Sequence, residues 1–403
     1  MSALRLVTVA GDPEREPRVA AELAEAEDVE LVMRCVDRVE LLAAFEGGLL
    51  DAAVLVGAAP WIDDELVAEA AACGVRLVAL ASDDLEAGAL RALGVDPLEG
   101  EIGVHDLIVR CATQVVTAPP PQPTPPPGAG PCTVVAVWGP KGAPGATRVA
   151  IEVAGHLAEA EPRTVLVDAD PSGGDLLQAL AVAEELPSLI WAARAASKDG
   201  LSAARLSLEL RRAWAGGPLF VPGLPRPSAW RDVSAFGFER LLDALAVANR
   251  YLVIDTGHAL EQPDPLGGVD ERDRLTLASL RRADVVVAVC RADPVGAKNF
   301  IWAFEQLSDL IGTERVRIVA NRVRGSDDAA LADLLARHVG KRPVAYLPDD
   351  RSLVDRALAA GTSVHAGASG SAFDHGLRAL VTSFGGAVRS RGLLTRLAGR
   401  AAR

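Results

Sequence analysis

The feature that most constrains the fold is a regular alternation of short apolar runs with helical stretches along a 403-residue chain. Val-, Leu- and Ala-rich runs separated by helices indicate parallel sheets that are buried on both faces. We therefore predict an α/β protein with ligand sites at the carboxyl ends of its strands. The seven runs of the longer, second part are predicted strands at residues 132–138, 164–170, 219–223, 251–257, 284–290, 316–321 and 343–348.

A proline-rich segment interrupts this rhythm. Residues 117–131, TAPPPQPTPPPGAGP, hold 8 of the 26 prolines. Such a run favours extended polyproline II and acts as a semi-rigid spacer, although a surface loop within one domain is the alternative. The predicted organisation is a first domain at 1–116, a linker at 117–131, a second domain at 132–385 and a tail at 386–403.

Charge divides along the same boundaries. Residues 1–117 contain 8 Arg, no Lys and 23 acidic residues, whereas the last 17 residues carry five Arg. Residues 1–117 therefore carry a net charge of -15, and the remaining 286 residues carry +2, which together give the net charge of -13. This balance disfavours a protein whose main surface binds nucleic acid.

The five cysteines are scattered, odd in number and free of any C-x-x-C pair. They are typical of small buried hydrophobic residues in a reducing compartment. The amino-terminal residues contain no apolar stretch of signal-peptide length, and no run reaches 18 uncharged apolar residues. We expect a cytoplasmic protein, with at most a peripheral attachment to the inner face of the membrane at a pole or septum.

The first domain alternates four apolar runs with predicted helices at 18–26, 39–45, 64–73 and 85–93. Its length and order resemble a response-regulator receiver domain, which implies a flavodoxin-like parallel sheet. Receivers accept a phosphoryl group on an Asp at the end of the third strand, with a Lys at the end of the fifth. Here the third run ends around Gly57, and the domain has no lysine. The resemblance therefore implies a degenerate receiver that docks a partner protein or dimerises.

A small-residue loop, GPKGAPGAT at 139–147, follows the first strand of the second domain and precedes a predicted helix. A strand, such a loop and a helix N-terminus together form an anion site, because unpaired N–H groups and the helix dipole converge. The standard P-loop spacing is met only in part: Gly145 and Thr147 fit, but Pro140 replaces the first glycine and Ala146 replaces the lysine. A flexible turn with a solvated lysine is the alternative.

Lysine is scarce in this chain, with only four among 41 basic residues. One of them, Lys141, lies in this loop. A compact ammonium group at that position is expected where phosphate is contacted as a point charge rather than by a planar guanidinium.

Polar residues close several of the predicted strands. Asp168 and Asp170 end the second strand of the domain, Asp255 ends YLVID, and Asn321 ends VRIVAN. A carboxylate at such a strand end can hold a magnesium-bound water. Taken singly, each of these residues is more often a helix cap than a ligand.

Together, these elements resemble the deviant P-loop ATPases of the MinD/ParA class. The receiver-like domain, the linker and the loop pattern K-G-x-x-G-A-T further resemble the CpaE/TadZ branch of Flp pilus assembly, including actinobacterial CpaE-like proteins, some of which are called septum site-determining proteins. The resemblance implies a P-loop NTPase fold that binds ATP and Mg²⁺ in a homodimer. The implied phosphate-contacting residues are Lys141, Gly142, Ala143, Gly145, Ala146, Thr147 and Arg148.

The resemblance also assigns roles outside the loop. It implies that Lys141 reaches phosphates across an ATP-sandwiched dimer, and that Asp168 or Asp170 orients the attacking water. Thr147, Asp168 and Asp255 would hold the metal. Asn321, Pro348 and Asp349 would contact adenine.

Some residues depart from the family pattern. Pro144 removes one N–H from the phosphate nest, and Ala146 removes a positive charge. Loss of a charge-assisted phosphate contact costs about 1.5–3 kcal/mol, so hydrolysis is expected to be slow. Arg148 could substitute for the missing lysine, but its position on the helix favours an outward orientation.

The tail AVRSRGLLTRLAGRAAR has leucines on one helical face and three arginines opposite. This pattern is typical of an interfacial helix on anionic lipid, and a disordered solubilising tail is the alternative.

The sequence therefore predicts an ATP-dependent dimerising switch that positions a pilus, secretion or division machine through protein partners. A pseudo-ATPase scaffold that acts without nucleotide is the second hypothesis. ParA-like DNA partitioning is the third, because no basic patch with interleaved aromatic residues is visible.

Overall fold

A computed structural model of the chain describes residues 3–46, 50–57, 61–62, 64–92, 95–99, 103–112, 131–182, 188–197, 206, 210–261, 271–325 and 327–387. These residues form two compact units that divide near residue 122. The proline-rich segment, apart from Pro131, and the tail from residue 388 onward lie outside the described residues. No helix in the described ranges is both long and apolar enough to cross a bilayer.

The first unit is a five-stranded parallel sheet with the strand order β2-β1-β3-β4-β5. This is the flavodoxin-like order, as predicted. Buried residues cover both faces of the sheet and form two separate cores. Its strands are β1 (Leu4–Ala10), β2 (Val29–Cys35), β3 (Ala52–Val56), β4 (Arg76–Ala81) and β5 (Asp96–Glu99), and its helices are α1 (Glu16–Ala24), α2 (Arg38–Glu46), α3 (Asp64–Ala72), α4 (Asp84–Ala92) and α5 (Val104–Ala112).

Two details of this unit differ from the sequence prediction. Helix α1 begins two residues early, because Pro17 is accommodated in its first turn. Strand β5 and helix α5 were not predicted at all. Strand β5 contains Pro97 and pairs only with β4, at the edge of the sheet, where a missing N–H is tolerated and a continuous apolar run is not required.

The second unit is an eight-stranded sheet with the order β13-β12-β11-β6-β10-β7-β9-β8. All of its pairs are parallel except that of β8 with β9. All seven predicted strands are present, and among the described residues of this unit only the two-residue β8 was missed. The strands are β6 (Thr133–Trp138), β7 (Thr164–Ala169), β8 (Arg211–Arg212), β9 (Leu219–Val221), β10 (Tyr251–Thr256), β11 (Val285–Arg291), β12 (Val316–Val323) and β13 (Ala345–Pro348).

The helices of this unit cover both faces of the sheet. Side chains of β6 alternate between two cores: Val134 and Ala136 face one, and Val135 and Val137 face the other. The helices are α6 (Ala146–Ala160), α7 (Leu176–Ala179), α8 (Leu189–Ser197), α9 (Ala235–Ala248), α10 (Arg274–Arg282), α11 (Pro294–Ile311), α12 (Asp327–Val339), α13 (Arg351–Ala359), α14 (Val364–Ala368) and α15 (Ala372–Ser383), with 3-10 turns at Pro227–Asp232 and Glu271–Asp273.

Strand β6 lies at the topological switch point of the sheet, where successive strands are added on opposite sides. The chain continues from β6 through α6 to β7, and β10 lies between these two strands, while β11 pairs with the other side of β6. In open α/β sheets, ligands bind beyond the carboxyl end of such a switch point. The fold therefore places the loop after β6 where a ligand is expected.

The cysteines only partly match their predicted environment. All five are unpaired, and three of them, Cys35, Cys111 and Cys290, are buried. Burial raises the pKa of each of these three thiols to about 12, so they behave as small apolar residues at neutral pH. Cys73, in contrast, is exposed because it follows the last turn of α3.

Candidate functional site

The loop between β6 and α6 has an unusual backbone. Gly142, Ala143 and Gly145 have φ angles of 104°, 51° and 93°. The left-handed region is costly for a residue with a side chain, so Ala143 is held there against its preference. At Gly145 a Cβ would lie 2.5 Å from Asn321 Nδ2, so only glycine fits.

Helix α6 begins directly after this turn. Its N-cap, Gly145, makes no side-chain capping hydrogen bond. The first N–H groups of a helix need external acceptors, and the helix dipole adds partial positive charge at the same place. The loop and the start of α6 therefore form a site suited to an anion such as phosphate.

Three side chains from distant parts of the chain hold the loop. The Asn321 amide donates to the Pro144 carbonyl at 2.8 Å, and the Asn299 amide donates to the Lys141 carbonyl at 3.2 Å. The Arg291 guanidinium donates to the Gly142 carbonyl at 2.8 Å. Sequence reasoning missed Asn299 and Arg291, since neither belongs to a motif. Their bonds fix the backbone of the segment that carries Lys141, whose side chain is exposed.

Two predicted carboxylates meet at the carboxyl edge of the sheet. Asp255 on β10 is the register partner of Asp168 on β7, and both residues are 1% exposed. Burial raises the pKa of Asp168 to about 7. Burial, reinforced by the charge of Asp168, raises the pKa of Asp255 well above its ordinary value. Two buried carboxyls side by side favour either a bound proton or a bound cation.

The Asp255 carboxylate has fewer hydrogen-bond partners than that of Asp168. The Thr147 hydroxyl lies close enough to lower its pKa in part. Even so, neither carboxylate oxygen makes a well-directed hydrogen bond within the described residues. A buried carboxylate with unsatisfied oxygens is costly, so the arrangement indicates a place for a ligand.

Asp168, in contrast, already has partners. It accepts hydrogen bonds from the N–H groups of Asp170 and Leu176, both at 3.3 Å. Two glycines enclose it: a Cβ on Gly174 would lie 1.9 Å from Asp168 Oδ1, and a Cβ on Gly223 would lie 2.6 Å from its Cγ. Asp168 therefore organises the loop after β7 as well as facing Asp255.

Two residues predicted to contact phosphate or adenine, Arg148 and Asn321, bond to other residues in the structure. Arg148 pairs with the fully buried Glu152 and donates to the Thr362 carbonyl at 3.1 Å. It points neither to the loop, as a phosphate contact would, nor outward to solvent. Glu152, at i+4 on the same helix, needs a cationic partner because it is buried.

The Asn321 amide, predicted to contact adenine, is bonded to the loop, and its Oδ1 accepts from the Arg322 N–H at 2.9 Å. Its observed role is to close the loop over Pro144. An adenine contact from this side chain stays a prediction.

The last predicted pair, Pro348 and Asp349, lies at the end of the edge strand β13. Pro348 is the register partner of Val323. Asp349 accepts from Arg324 Nε at 2.6 Å, and its own N–H donates to the Val323 carbonyl at 3.0 Å.

The predicted catalytic residue Asp170 accepts a hydrogen bond from the Ser172 N–H at 2.8 Å within its own turn. The site that the fold assembles is therefore the loop, Thr147, Asp168 and Asp255.

Solved structures include a similar fold. A ParA family ATPase from Chlorobium tepidum TLS aligns with a TM-score of 0.52 at 18% identity, covering 61% of this chain and 96% of that one. The Mg-ADP complex of the septum site-determining protein MinD from Pyrococcus horikoshii OT3 aligns with a TM-score of 0.48 at 14% identity, covering 63% of this chain and 96% of that one. The ATP complex of a single-residue variant of Cyanothece McdA aligns with a TM-score of 0.49 at 15% identity, covering 66% of this chain and 100% of that one.

At 18% identity the first likeness establishes the fold alone, an α/β fold shared with that ParA family ATPase. No model of a known protein family matches the sequence, and no curated protein matches it either.

Proposed function

We propose that the second unit binds ATP with Mg²⁺ and that the chain is an ATP-dependent, dimerising positional regulator. The observation that carries the proposal is the pairing of an uncapped helix N-terminus with the unsatisfied Asp255 carboxylate at the strand switch point. The helix N-terminus suits a polyphosphate, and the Asp255 carboxylate suits a divalent cation. The ParA-type fold supports the same assignment.

The residues at this edge fit magnesium. The donor set is all oxygen: the Thr147 hydroxyl and the carboxylates of Asp255 and Asp168. Magnesium prefers oxygen ligands and keeps several of its waters, so few protein ligands suffice. When bound, the ion neutralises the phosphates and offsets the charge of the paired carboxylates. Asp168 also keeps the 170–176 loop in place through its two amide bonds.

Lys141 is proposed to contact phosphate across a dimer of two chains. Its side chain is exposed, while its backbone carbonyl is tied to Asn299. A tethered backbone with a free side chain suits a group that reaches out of its own site. The missing charge at Ala146 leaves turnover about one to two decades slower than with a lysine there.

The finer proposal follows the CpaE/TadZ resemblance. According to this finer proposal, the chain positions a pilus, secretion or division machine at the inner face of the membrane. The receiver-like unit docks a protein partner. The end of β3 in that unit supports docking over phosphoryl transfer, because Gly57, not a carboxylate, follows the strand. The 388–403 tail is proposed to contribute peripheral membrane contact.

A nucleotide-independent scaffold is the second candidate, and one observation favours it. The loop is already packed by its own residues: a Cβ on Gly139 would lie 2.5 Å from the Pro144 ring, and Asn321 bonds the Pro144 carbonyl. A loop that is closed by internal contacts can persist without phosphate.

Binding of a fluorescent ATP analogue, followed by sedimentation with Mg-ATP, tests the proposal. The full chain is expected to bind the analogue and to dimerise with ATP. Lys141→Ala is expected to stay monomeric while keeping its thermal unfolding temperature. Lys298→Ala is the matched control, because Lys298 is also exposed but lies over the Trp302 ring on α11.

No binding at millimolar nucleotide would reject the ATP switch in favour of the scaffold. Dimerisation that is unchanged in Lys141→Ala would reject the shared-phosphate arrangement.

A further inference from the structure

A second cluster of ionisable side chains lies on the other half of helix α6, away from the loop. It consists of His156 on α6, His365 on α14 and Asp374 on α15, and one ligand atom from each lies within 4.8 Å of the others. All three are buried, with the imidazole of His156 and the carboxylate of Asp374 0% exposed. Three side chains with metal-binding chemistry therefore meet in the interior, where none is required by the ATP site.

One oxygen atom is the centre of this cluster. Asp374 Oδ1 lies 2.6 Å from His365 Nδ1 and 3.0 Å from His156 Nε2. The other oxygen, Oδ2, accepts from the Gly370 N–H at 2.7 Å and lies 3.6 Å from Arg378 Nε. The N–H of Asp374 donates to Ser371, the N-cap of α15. The carboxylate is thus fixed with Oδ1 directed at the two imidazoles.

His156 supplies an independent sign of a missing ligand. Its Nε2 is near Asp374 Oδ1, but neither of its ring nitrogens makes a well-directed hydrogen bond to the described residues. Its Nδ1 therefore lacks a partner in a fully buried position, which is costly, and its Nε2 has only the contact with Asp374. Its ring lies 4.1 Å from that of His365.

His365 is held in the manner of a metal ligand. Its second nitrogen, Nε2, lies 2.5 Å from Glu159 Oε2. Histidines that bind metal through one nitrogen commonly donate the other N–H to a carboxylate, which fixes the ring and raises its basicity. Glu159 is therefore a positioning residue for His365.

We propose that His156, His365 and Asp374 bind one Zn²⁺ ion in a buried site. Two imidazoles and a carboxylate suit zinc, whose bonds of about 2.0–2.2 Å place the ligand atoms of a tetrahedron about 3.3 Å apart. The observed separations from Asp374 Oδ1 are 2.6 Å to His365 Nδ1 and 3.0 Å to His156 Nε2, so binding would move these atoms apart by about 0.7 and 0.3 Å. Because all three ligands are buried, the site excludes substrates, and a water completes the tetrahedron. The ion would pin the carboxyl-terminal helices to the helix that begins at the phosphate loop.

The untagged full chain, stripped with a chelator and given one equivalent of Zn²⁺, tests the proposal. One zinc per chain is expected by elemental analysis after gel filtration, with a rise of about 5 °C or more in unfolding temperature. His156→Gln and Asp374→Asn are each expected to lose both effects. His338→Gln keeps them, because His338 is exposed on α12, outside the cluster.

X-ray absorption of the wild-type zinc complex keeps the proposal testable even where a variant fails to fold. An N/O shell at about 2.0–2.1 Å with imidazole scattering is expected. A sulfur shell would assign the ion to a cysteine and overturn the proposal. So would a chain that takes up no zinc at equimolar concentration, in which case His365 shares a proton with Asp374 and Glu159 instead.

Discussion

The turns at the carboxyl edge of the sheet are held by different contacts in the two units. In the first, the turn after β1 packs against the end of β3: the Asp12 N–H donates to the Val56 carbonyl at 2.6 Å, and a Cβ on Gly11 would lie 2.3 Å from the Gly57 carbonyl oxygen. In the second, the turn after β6 leaves an uncapped helix N-terminus. Neither of the helices that follow these turns has a side-chain cap at its N-terminus. The difference lies in what holds each turn: backbone contact with the neighbouring strand in the first unit, and the side chains of Asn299, Asn321 and Arg291 in the second.

The buried acids of the two units also differ. Glu16, in the first unit, accepts from the Thr8 hydroxyl at 2.5 Å and pairs with Arg34, whose hydrogen bonds lower the pKa of Glu16. Asp255, in the second, makes no well-directed hydrogen bond within the described residues, and burial raises its pKa despite the nearby Thr147 hydroxyl. Glu16 thus stabilises the first unit through its own partners, whereas the Asp255 carboxylate is suited to a bound cation. Satisfaction of the carboxylate, rather than its burial, separates the two roles.

The largest expected effect comes from filling the cradle around Asp168. Gly174→Ala places a methyl group within 2.2 Å of both Asp168 oxygens, which forces the carboxylate or its loop to move. Overpacking of this kind should lower the free energy of unfolding by about 3 kcal/mol and weaken Mg-nucleotide binding. Urea denaturation of the full chain measures the first effect.

Gly367→Ala is the control for this substitution, because a Cβ there meets no atom within 4 Å. Equal stabilities of the two variants would show that Asp168 is not held by the glycines.

Removing the charge of Asp255 should stabilise the protein while abolishing metal-dependent binding. Burial raises its pKa above the ordinary value of 3.8, so the folded state retains a proton that the unfolded state loses. Stability therefore falls as the pH rises from about 4 through the folded-state pKa. Asp255→Asn removes this loss, and should raise stability at pH 8 by about 2 kcal/mol, or about 4–8 °C in unfolding temperature.

Thermal scans at pH 5 and pH 8 check the sign, since the gain should shrink at the lower pH. Asp243→Asn, at an exposed site, should change neither stability nor binding. A destabilised Asp255→Asn protein would contradict the assignment of Asp255 as an unsatisfied acid.

The opposite pH dependence is expected of Glu16. Its folded-state pKa is lowered by Arg34, so the stability it contributes is present above the ordinary value of 4.5 and is lost as the pH falls below it. Glu16→Gln should cost about 1–2 kcal/mol at pH 7, because Arg34 is half exposed and the pair is partly screened. Denaturation at pH 7 and pH 4 should show a smaller wild-type advantage at the lower pH, because the stability is lost as the pH falls from 4.5 through the lowered folded-state pKa.

The smallest expected effect on stability is that of Asn321→Ala. It removes the 2.8 Å bond to the Pro144 carbonyl and costs about 1 kcal/mol. If the amide only closes the loop, nucleotides with different bases should lose affinity equally. A loss confined to adenine nucleotides in equilibrium titrations would instead assign the amide to the base.

Much of the fold could be predicted because local pattern determines it. Each apolar run of the second unit became a strand, and the polar residues after those runs met at one edge, since parallel strands end together. Strand β5 escaped prediction because an edge strand needs neither a long apolar run nor every N–H.

The rest of the site depends on contacts between residues that are distant in sequence. Asn299 reaches a loop 158 residues away, and Gly223 approaches Asp168 from the segment after β9. The environment of Arg148 depends on the burial of Glu152, which comes from helices near the carboxyl end. Spacing along the sequence carries no trace of such contacts.

Helix α6 spans two parts of the second unit. Its 15 residues extend about 22 Å. One end begins at Gly145, and the other half carries Glu152 and His156, against which the 362–374 segment packs through Val364 and Asp374. The helix therefore connects the 139–147 loop to the carboxyl-terminal helices. If nucleotide binds at that loop as proposed, sequence changes in those helices would tune nucleotide affinity from a distance.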